Sequence, residues 1–324
     1  MASQNAFQFG VEIELLLGSR KKAYGSWKAL AKDLSKRLAK AGVANHVNEA
    51  NDKSPDNYRE WSIAPEVTIP SQPAKNLFGL ELVSPVYPVY AYWAADLDAI
   101  FATLRASFSL TASPHCSTHV HVSRAGERGP LLATDLAALA KAALYYEPAL
   151  DVLVPAGRRG TAAYWCQSNR ANPALAGRGL AECLAVVDAV SGDARAVVEA
   201  VNLFPAGSAY GRAHGKLKDF IRGKVYKWDF TGMLQSSGGG GARGTVEFRQ
   251  APGSLVTDDA AAWVTLAVAF VVGATATGAR LGGPEVDVTG GAGPDELWAL
   301  LAAGAEALGW ESLGAVEGLF ARRA

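Results

Sequence analysis

The chain has 324 residues, of which 49% are hydrophobic, and its 31 basic and 31 acidic side chains give a formal net charge of zero. Such a composition is typical of a globular protein with one large domain or two modest ones. The charge balance gives no electrostatic argument for a nucleic-acid or membrane partner. Three cysteines without a CxxC pair argue against a disulfide framework. Since no basic-then-apolar leader opens the sequence, we expect a cytoplasmic protein.

The spacing of apolar residues predicts the secondary structure in chain order. We expect strands over residues 7–17, 59–69, 79–85, 117–123, 224–234 and 244–250. We expect helices over residues 26–41, 92–107, 131–153, 180–201 with a break at 191–192, and 257–277. Strands and helices do not alternate strictly, so we predict an α+β fold. In it, helices pack on one face of a largely antiparallel curved sheet, and the active-site cleft lies on the other face.

Three of the predicted strands carry two ionisable residues spaced by two, with apolar residues between and beside them. The pairs are Glu12 and Glu14, His119 and His121, and Glu247 and Arg249. Residues i and i+2 of a strand lie on the same face, so each pair points away from the apolar face. Two further carboxylates, Glu66 and Glu81, also stand in strand-like runs. Taken together, the three pairs and the two further carboxylates predict one shared polar site, although each pair alone is typical of a solvated strand face.

The residue types of this set indicate a site for hard cations. A carboxylate between apolar neighbours is costly to bury without a partner, and a hard cation supplies one. Five carboxylates with histidine suit two or three Mg²⁺ or Mn²⁺ ions that hold a triphosphate. Zinc is disfavoured because carboxylates outnumber the few cysteines. Arg249 suits a phosphate, since its planar guanidinium can bind two oxygens at once.

The short motifs around these residues, taken together, resemble the amidoligases of the carboxylate–amine ligase superfamily, which share the fold of glutamine synthetase and glutamate–cysteine ligase. The motifs are FGVEIELLL (9–17), REWSIAPEVTI (59–69), GLELVSPVY (79–87), CSTHVHVS (116–123), RRGTAAYWC (158–166) and RGTVEFRQAPGSL (243–255). The resemblance implies a single glutamine synthetase-like catalytic domain over residues 1–324. Its motifs lie within residues 9–255, and residues 256–324 form a C-terminal helical part.

The resemblance also implies a role for each matching residue. One ion would be held by Glu14, Glu66 and Glu81, and the ion bridging the reacting phosphate by Glu12, His119 and Glu247. The catalytic set would be Arg249, which stabilises the transferring phosphoryl group, with Glu247 and Glu12. The nucleotide would contact His121, Arg249 and Arg243. The substrate side would be lined by Arg158, Arg159 and Tyr164.

The sequence departs from the family pattern at three positions. The family usually has Asp where Glu66 stands, Gly where Ser117 stands and Asn where Asp229 stands. Glutamate keeps the charge of aspartate but lengthens the ligand, which makes Glu66 the least secure of the predicted ligands. Ser117 and Asp229 bear on the fine geometry of the site and on the choice of amine.

The activity implied by the resemblance is ATP-dependent formation of an amide from a small-molecule or peptide carboxylate and an amine, through an acyl-phosphate. Asp229 and Asp219 are candidates to take the amine's proton, and residues 48–58 and 238–241 are candidates for a lid. Three alternatives stay open at this point. They are a guanidino-kinase-like phosphotransferase on the same fold, a Cys/His amide hydrolase using Cys116, and a non-catalytic nucleotide-binding scaffold. The sequence names neither the two substrates nor the oligomeric state.

Overall fold

The computed structural model describes residues 6–126, 129–203, 223–234, 244–277, 280–281 and 287–322. The chain divides into two compact units. The first unit comprises Gln8–Val120 and Ala251–Val264, and the second comprises Met1–Phe7, His121–Gln250 and Thr265–Ala324. Both units combine helices with mostly antiparallel strands, which agrees with the predicted α+β class. The glutamine synthetase-like topology and the single-domain organisation stay predictions.

The first unit is built on a long central strand. Its strands are β1 (Phe7–Ser19), β2 (Asn45–Val47), β3 (Trp61–Pro65), β4 (Leu77–Val83), β5 (Tyr87–Pro88), β6 (Phe108–Thr111) and the start of β7 (Thr118–Arg124). Their order is β2-β3-β4-β1-β7, and β5 and β6 also pair with β1. The β3–β4 and β4–β1 pairs are antiparallel, whereas β2 and β3 run parallel. In β1, Val11, Ile13 and Leu15 are fully buried, as the alternation of the sequence predicts.

Two helices complete the first unit, α1 (Trp27–Lys40) and α2 (Ala94–Ser107). Helix α1 begins after Ser26, whose hydroxyl accepts a hydrogen bond from the backbone N–H of Ala29 at 3.2 Å. Such a cap satisfies one of the N–H groups that the first turn leaves open. The helix ends at Lys40, and its C-cap Ala41 precedes Gly42, which has a φ of +85°. The predicted helix over residues 26–41 is therefore confirmed, with its capping residues at both ends.

The second unit contains most of the helices. They are α3 (Ala133–Tyr145), α4 (Glu147–Val152), α5 (Leu180–Ala189), α6 (Ala194–Val201), the greater part of α7 (Thr257–Thr277), α8 (Pro294–Leu308) and α9 (Gly314–Ala321). Its strand order is β7-β9-β8, with β8 at Trp228–Asp229 and β9 at Thr245–Phe248. Trp228 stacks on Phe270 of α7 at a centroid distance of 4.8 Å. This aromatic contact fixes β8 against the most apolar helix of the chain.

Three predicted elements were wrong in extent, each for a local reason. The helix predicted over 131–153 is two helices, because Pro148 occupies the first turn of α4 and cannot donate a hydrogen bond to a continuous helix. The strand predicted over 224–234 ends after Asp229, whose carboxylate accepts from the N–H and hydroxyl of Thr231 and bends the chain. The strand predicted over 59–69 ends at Pro65, because Glu66 makes the same kind of turn with Thr68.

Helix α7 is long and apolar enough to cross a membrane, with a mean hydropathy of 1.8 over 18 residues, yet 78% of that window is buried. Such burial is typical of the core helix of a globular protein, and the helix predicted over residues 257–277 is confirmed. Within the second unit, α7 and α8 approach closely at Gly273 and Gly304. A Cβ atom on Gly304 would lie 2.0 Å from the carbonyl oxygen of Ala269. Their contact therefore requires glycine.

Gly79 on β4 sets how closely the turn after β3 can lie, and Gly79→Ala is expected to destabilise the protein. The added Cβ would lie 2.8 Å from the Cβ of Ile69 and 2.9 Å from the carbonyl oxygen of Glu66. We expect a loss of about 1–3 kcal/mol in the free energy of unfolding, measured by urea denaturation. Gly25→Ala is the matched control, since nothing lies within 4 Å of its Cβ position. It should change stability by no more than about 0.5 kcal/mol. Equal effects of the two changes would contradict the assignment.

Candidate active site

Three carboxylates converge in the first unit. Glu14 of β1 lies opposite Glu81 of β4 in the antiparallel register, and Glu66 follows β3. One carboxylate oxygen from each residue lies within 4.8 Å of the other two. Glu14 and Glu81 are buried, and Glu66 is half-buried. These are the three residues that the resemblance assigns to one ion; their role as ligands stays a prediction.

The electrostatics of this trio favour a bound cation. Burial raises the pKa of Glu81 well above its ordinary value of 4.5, and the neighbouring carboxylate of Glu12 raises it further. The ammonium group of Lys53, 3.4 Å from Oε2 of Glu81, acts in the opposite direction. The repulsion among the three carboxylates is relieved when one of them is protonated or when a cation binds to them. Carboxylate oxygens are the ligands that Mg²⁺ and Ca²⁺ prefer.

The remaining groups around the trio hold it in place. The backbone N–H of Ser117 donates to Oε2 of Glu14 at 2.7 Å, so the residue that departs from the family's glycine orients a predicted ligand through its main chain. Nδ1 of His119 lies 3.5 Å from Oε2 of Glu12 and 3.9 Å from Oε1 of Glu14. His119 is only 3% exposed. The first unit therefore gathers Glu12, Glu14 and His119 from β1 and β7, as the spacing by two predicts.

The second unit carries the predicted arginine. Nη1 of Arg249 donates to Oε1 of Glu247, and its Nε donates to the carbonyl oxygen of Lys224 at 3.0 Å. Nε2 of His121 lies 3.7 Å from Oε1 of Glu247. Asp229 is paired with Glu247 across β8 and β9, and burial, followed by the charge of Glu247, raises the pKa of Asp229. A cationic fork thus lies among buried carboxylates on one short strand pair.

The ion predicted to be shared by Glu12, His119 and Glu247 stays a prediction, because Glu247 belongs to the second unit and the other two residues to the first. Arg243, Asp219 and the glycine run at residues 238–241 lie outside the described part of the chain. The loop at 48–58 is described and contains a short 3₁₀ turn, Pro55–Tyr58. Nothing in its geometry distinguishes a lid from a surface connection.

The residues predicted to line the substrate side differ in their surroundings. Arg158 is buried, and its guanidinium donates to the carbonyl oxygens of Gln250 at 2.8 Å and Arg249 at 3.0 Å. Arg159 donates to the carbonyl oxygen of Val154 at 2.9 Å. The side chain of Tyr164 is 43% exposed and packs edge-on against Trp165. Arg158 thus supports the backbone at Arg249, and contact of these three residues with substrate stays a prediction.

Sequence reasoning missed a buried lysine beside this strand pair. Lys227 is 1% exposed, and its Nζ lies 2.9 Å from Oε1 of Glu147 and 2.5 Å from Oδ1 of Asp151. Its backbone carbonyl accepts from the N–H of Arg249 at 2.8 Å. The position of this lysine between two aromatic residues, Tyr226 and Trp228, indicates burial. Because buried lysines are almost always paired, the sequence could have predicted an ion pair here. The sequence does not indicate which carboxylates, some eighty residues away, provide the pair.

Comparison with known proteins gives a family match and likenesses among solved structures. Residues 5–175, more than half of the chain, match the family described as "Putative amidoligase enzyme". No curated protein matches the sequence significantly. Among solved structures, the chain is similar to a bifunctional glutathione synthetase from Pasteurella multocida, at 12% identity with a TM-score of 0.44, over 98% of this chain and 48% of that one.

The structural likeness carries no argument about fold or activity at that TM-score, and the chain spans about half the length of that synthetase. The family match stands on its own and covers the segments that carry Glu12, Glu14, Glu66, Glu81 and His119. It agrees with the resemblance seen in the motifs. The chain therefore belongs to the amidoligase family.

Proposed function

We propose that this amidoligase joins a carboxylate to an amine with the use of ATP and Mg²⁺, through an acyl-phosphate, and releases ADP and phosphate. Membership of the family supports amide-bond formation as the reaction class. The energy source, the ions and the intermediate are the parts that the proposal adds. We expect both substrates to be small molecules or peptides.

The observation that carries the proposal is the convergence of Glu14, Glu66 and Glu81 in a buried position. Three oxygen ligands of like charge fit a hard divalent cation, and they fit neither a zinc site with cysteine ligands nor a hydrophobic pocket. Such ions, when bound with ATP, supply positive charge that lets an anionic carboxylate approach the phosphate to be transferred. Mn²⁺ would satisfy the same ligands.

The chain's own residues have distinct tasks in this proposal. Arg249 is already oriented by Glu247 and by the carbonyl of Lys224, so little reorganisation is needed when negative charge develops on a transferring phosphoryl group. His119, whose Nδ1 lies near the carboxylates of both Glu12 and Glu14, would orient these two predicted ligands. Asp229, whose pKa is raised, is the candidate group to accept the proton that the amine must lose.

The alternative functions receive less support. Cys116 is 4% exposed and packs with Leu16 and Ile69, and burial raises the pKa of Cys166, so neither environment activates a thiolate nucleophile. A phosphotransferase would use the same ions and the same arginine but leave a stable phosphorylated acceptor. The products of a single turnover separate that reaction from the ligase.

The metal site predicts opposite effects of Glu81→Gln with and without Mg²⁺. Because the folded-state pKa of Glu81 is raised, its stabilising contribution is present below pH 4.5 and is lost as the pH rises through the folded value. Metal-free Glu81→Gln should therefore melt higher than the wild type near pH 7.5. The wild type should gain melting temperature with added Mg²⁺, whereas the variant should gain little.

The control for this test is Glu49→Gln, which alters an exposed carboxylate paired with Lys28 and Lys32 in the same unit. It should leave the response to Mg²⁺ unchanged. Both melting curves are measured by differential scanning fluorimetry across a pH series. An equal gain with Mg²⁺ in Glu81→Gln and the wild type would remove the trio from the metal site.

The reaction itself is tested with purified protein, ATP, Mg²⁺ and a mixed panel of amino acids, other carboxylates and amines, with products identified by mass spectrometry. We expect ADP, phosphate and a new amide. Glu12→Gln should abolish all three, and Arg249→Lys should lower kcat about a hundredfold, since a compact ammonium cannot replace the guanidinium fork.

Glu199→Gln, an exposed change in the second unit, should leave the rate unchanged. A phosphorylated acceptor without amide would favour the phosphotransferase. If no product forms, Mg²⁺-dependent ATP binding is measured next, and its absence would rule out the nucleotide site altogether.

A further inference from the structure

A cleft of about 480 Å³ opens in the second unit between helix α4 and the segment that follows it up to Arg178. Its charged lining residues are Glu147, Asp151, Arg170 and Arg178. Small lining residues leave the space between these charged side chains open, namely Gly160, Ala171, Ala176 and Gly177. Ligand sites in proteins commonly have volumes of about 300–1,000 Å³, so the cleft can hold a molecule as large as an amino acid or a dipeptide.

One side of the cleft carries a net negative charge. Glu147 and Asp151 share the ammonium group of the buried Lys227, so two formal negative charges face one positive charge. The hydroxyl of Ser168 donates to Oε2 of Glu147 at 2.6 Å, and the N–H of Gly160 donates to Oδ2 of Asp151 at 2.8 Å. These neutral donors orient the carboxylates without cancelling their charge. A ligand ammonium group would provide the missing positive charge.

The lining of the cleft also contains two arginines, Arg170 and Arg178. Nε of Arg178 donates to the carbonyl oxygen of Ala174 at 3.0 Å, and Nη2 of Arg170 approaches the carbonyl oxygen of Arg178 at 3.4 Å. Among the ion pairs formed by the described residues, neither arginine has a carboxylate partner. Two guanidinium groups with open donors are suited to a carboxylate. The lining of the cleft thus contains both acidic and basic groups.

We infer that this cleft binds the amine substrate and that the substrate is a zwitterionic amino acid or short peptide. Its ammonium group would lie toward Glu147 and Asp151, and its carboxylate toward Arg170 and Arg178. That the bound molecule is a substrate rests on the proposed ligase function. That the cleft binds such a molecule does not depend on that function. A ligand with only one charge would leave one side of the cleft unmatched.

The cleft is tied to the predicted phosphoryl-transfer residue by direct contacts. The side-chain amide of Gln250, the neighbour of Arg249 in sequence, donates to Oδ1 of Asp151. The carbonyl oxygen of Arg158 in turn accepts from the same amide group at 3.3 Å. A molecule held on Asp151 would therefore contact a carboxylate that is hydrogen-bonded to Gln250, the residue after Arg249.

The test is equilibrium dialysis of the full-length protein against an equimolar mixture of the twenty common L-amino acids and, separately, their glycyl dipeptides. Each mixture is used alone and with Mg²⁺ and a non-hydrolysable ATP analogue, and retained compounds are quantified by mass spectrometry. We expect at least one compound to be retained. Its N-acetylated form, which lacks the ammonium group, should not be retained.

Variants of the two arginines then test whether the retained compound binds in this cleft. Arg170→Ala and Arg178→Ala should each weaken the apparent Kd about tenfold or more, because each removes a charge-assisted hydrogen bond. Arg170→Lys, which keeps the charge, should recover part of the loss and guards against misfolding of the alanine variant. Arg195→Ala is the control, since Arg195 is exposed, pairs with Glu199 and does not line the cleft.

The outcomes distinguish this inference from the ligase proposal. Retention that depends on the two arginines, without amide formation in the product assay, would support the cleft and count against the ligase. Amide formation that is indifferent to Arg170→Ala and Arg178→Ala would support the ligase and overturn the cleft. Failure to retain any compound in all four mixtures would also overturn it.

Discussion

The register between β1 and β4 places the carboxylate of Glu14 opposite that of Glu81, and the chemistry of the first unit depends on this contact between like charges. Directly opposed like charges destabilise an antiparallel pair, and burial strengthens their repulsion. The alternate residues of both strands, including Ile13 and Leu82, are fully buried and supply the apolar packing that holds the register. The apolar face of the strands thus maintains an arrangement that the polar face opposes.

The second unit handles charge in a different way. There the chain supplies its own cations: Arg249 faces Glu247, and Lys227 lies between Glu147 and Asp151. Pairs of this kind orient side chains without an added ion, although their desolvation cost makes them poor evidence of stability. The guanidinium of Arg158 donates to the backbone carbonyls of Arg249 and Gln250. The first unit therefore gathers carboxylates for which a bound cation is proposed, and the second unit pairs its buried carboxylates with its own cationic side chains.

Much of this could be predicted from the sequence because strand alternation is a strong local signal. The spacing by two predicts that Glu12, Glu14 and His119 share one polar site. Helical periodicity and capping predict the bounds of α1 and α7. The ends of the strands could not be predicted, because one side-chain hydrogen bond at Glu66 or Asp229 decides them. The partners of Lys227 could not be predicted either, since they depend on how α4 lies against β8, and no pattern within either segment encodes that contact.

The crossing of α7 and α8 at Gly273 and Gly304 bears on how variation in this family should be interpreted. The backbones meet there with no room for a methyl group, far along the chain from any predicted ligand. A relative that replaces either glycine would have to move a whole helix. Both positions should consequently remain glycine across relatives for steric reasons, and their invariance would carry no information about the substrate. Constancy at these two positions would therefore report on the packing of α7 against α8, whereas constancy at the predicted ligands Glu14, Glu66 and Glu81 would report on the proposed metal site.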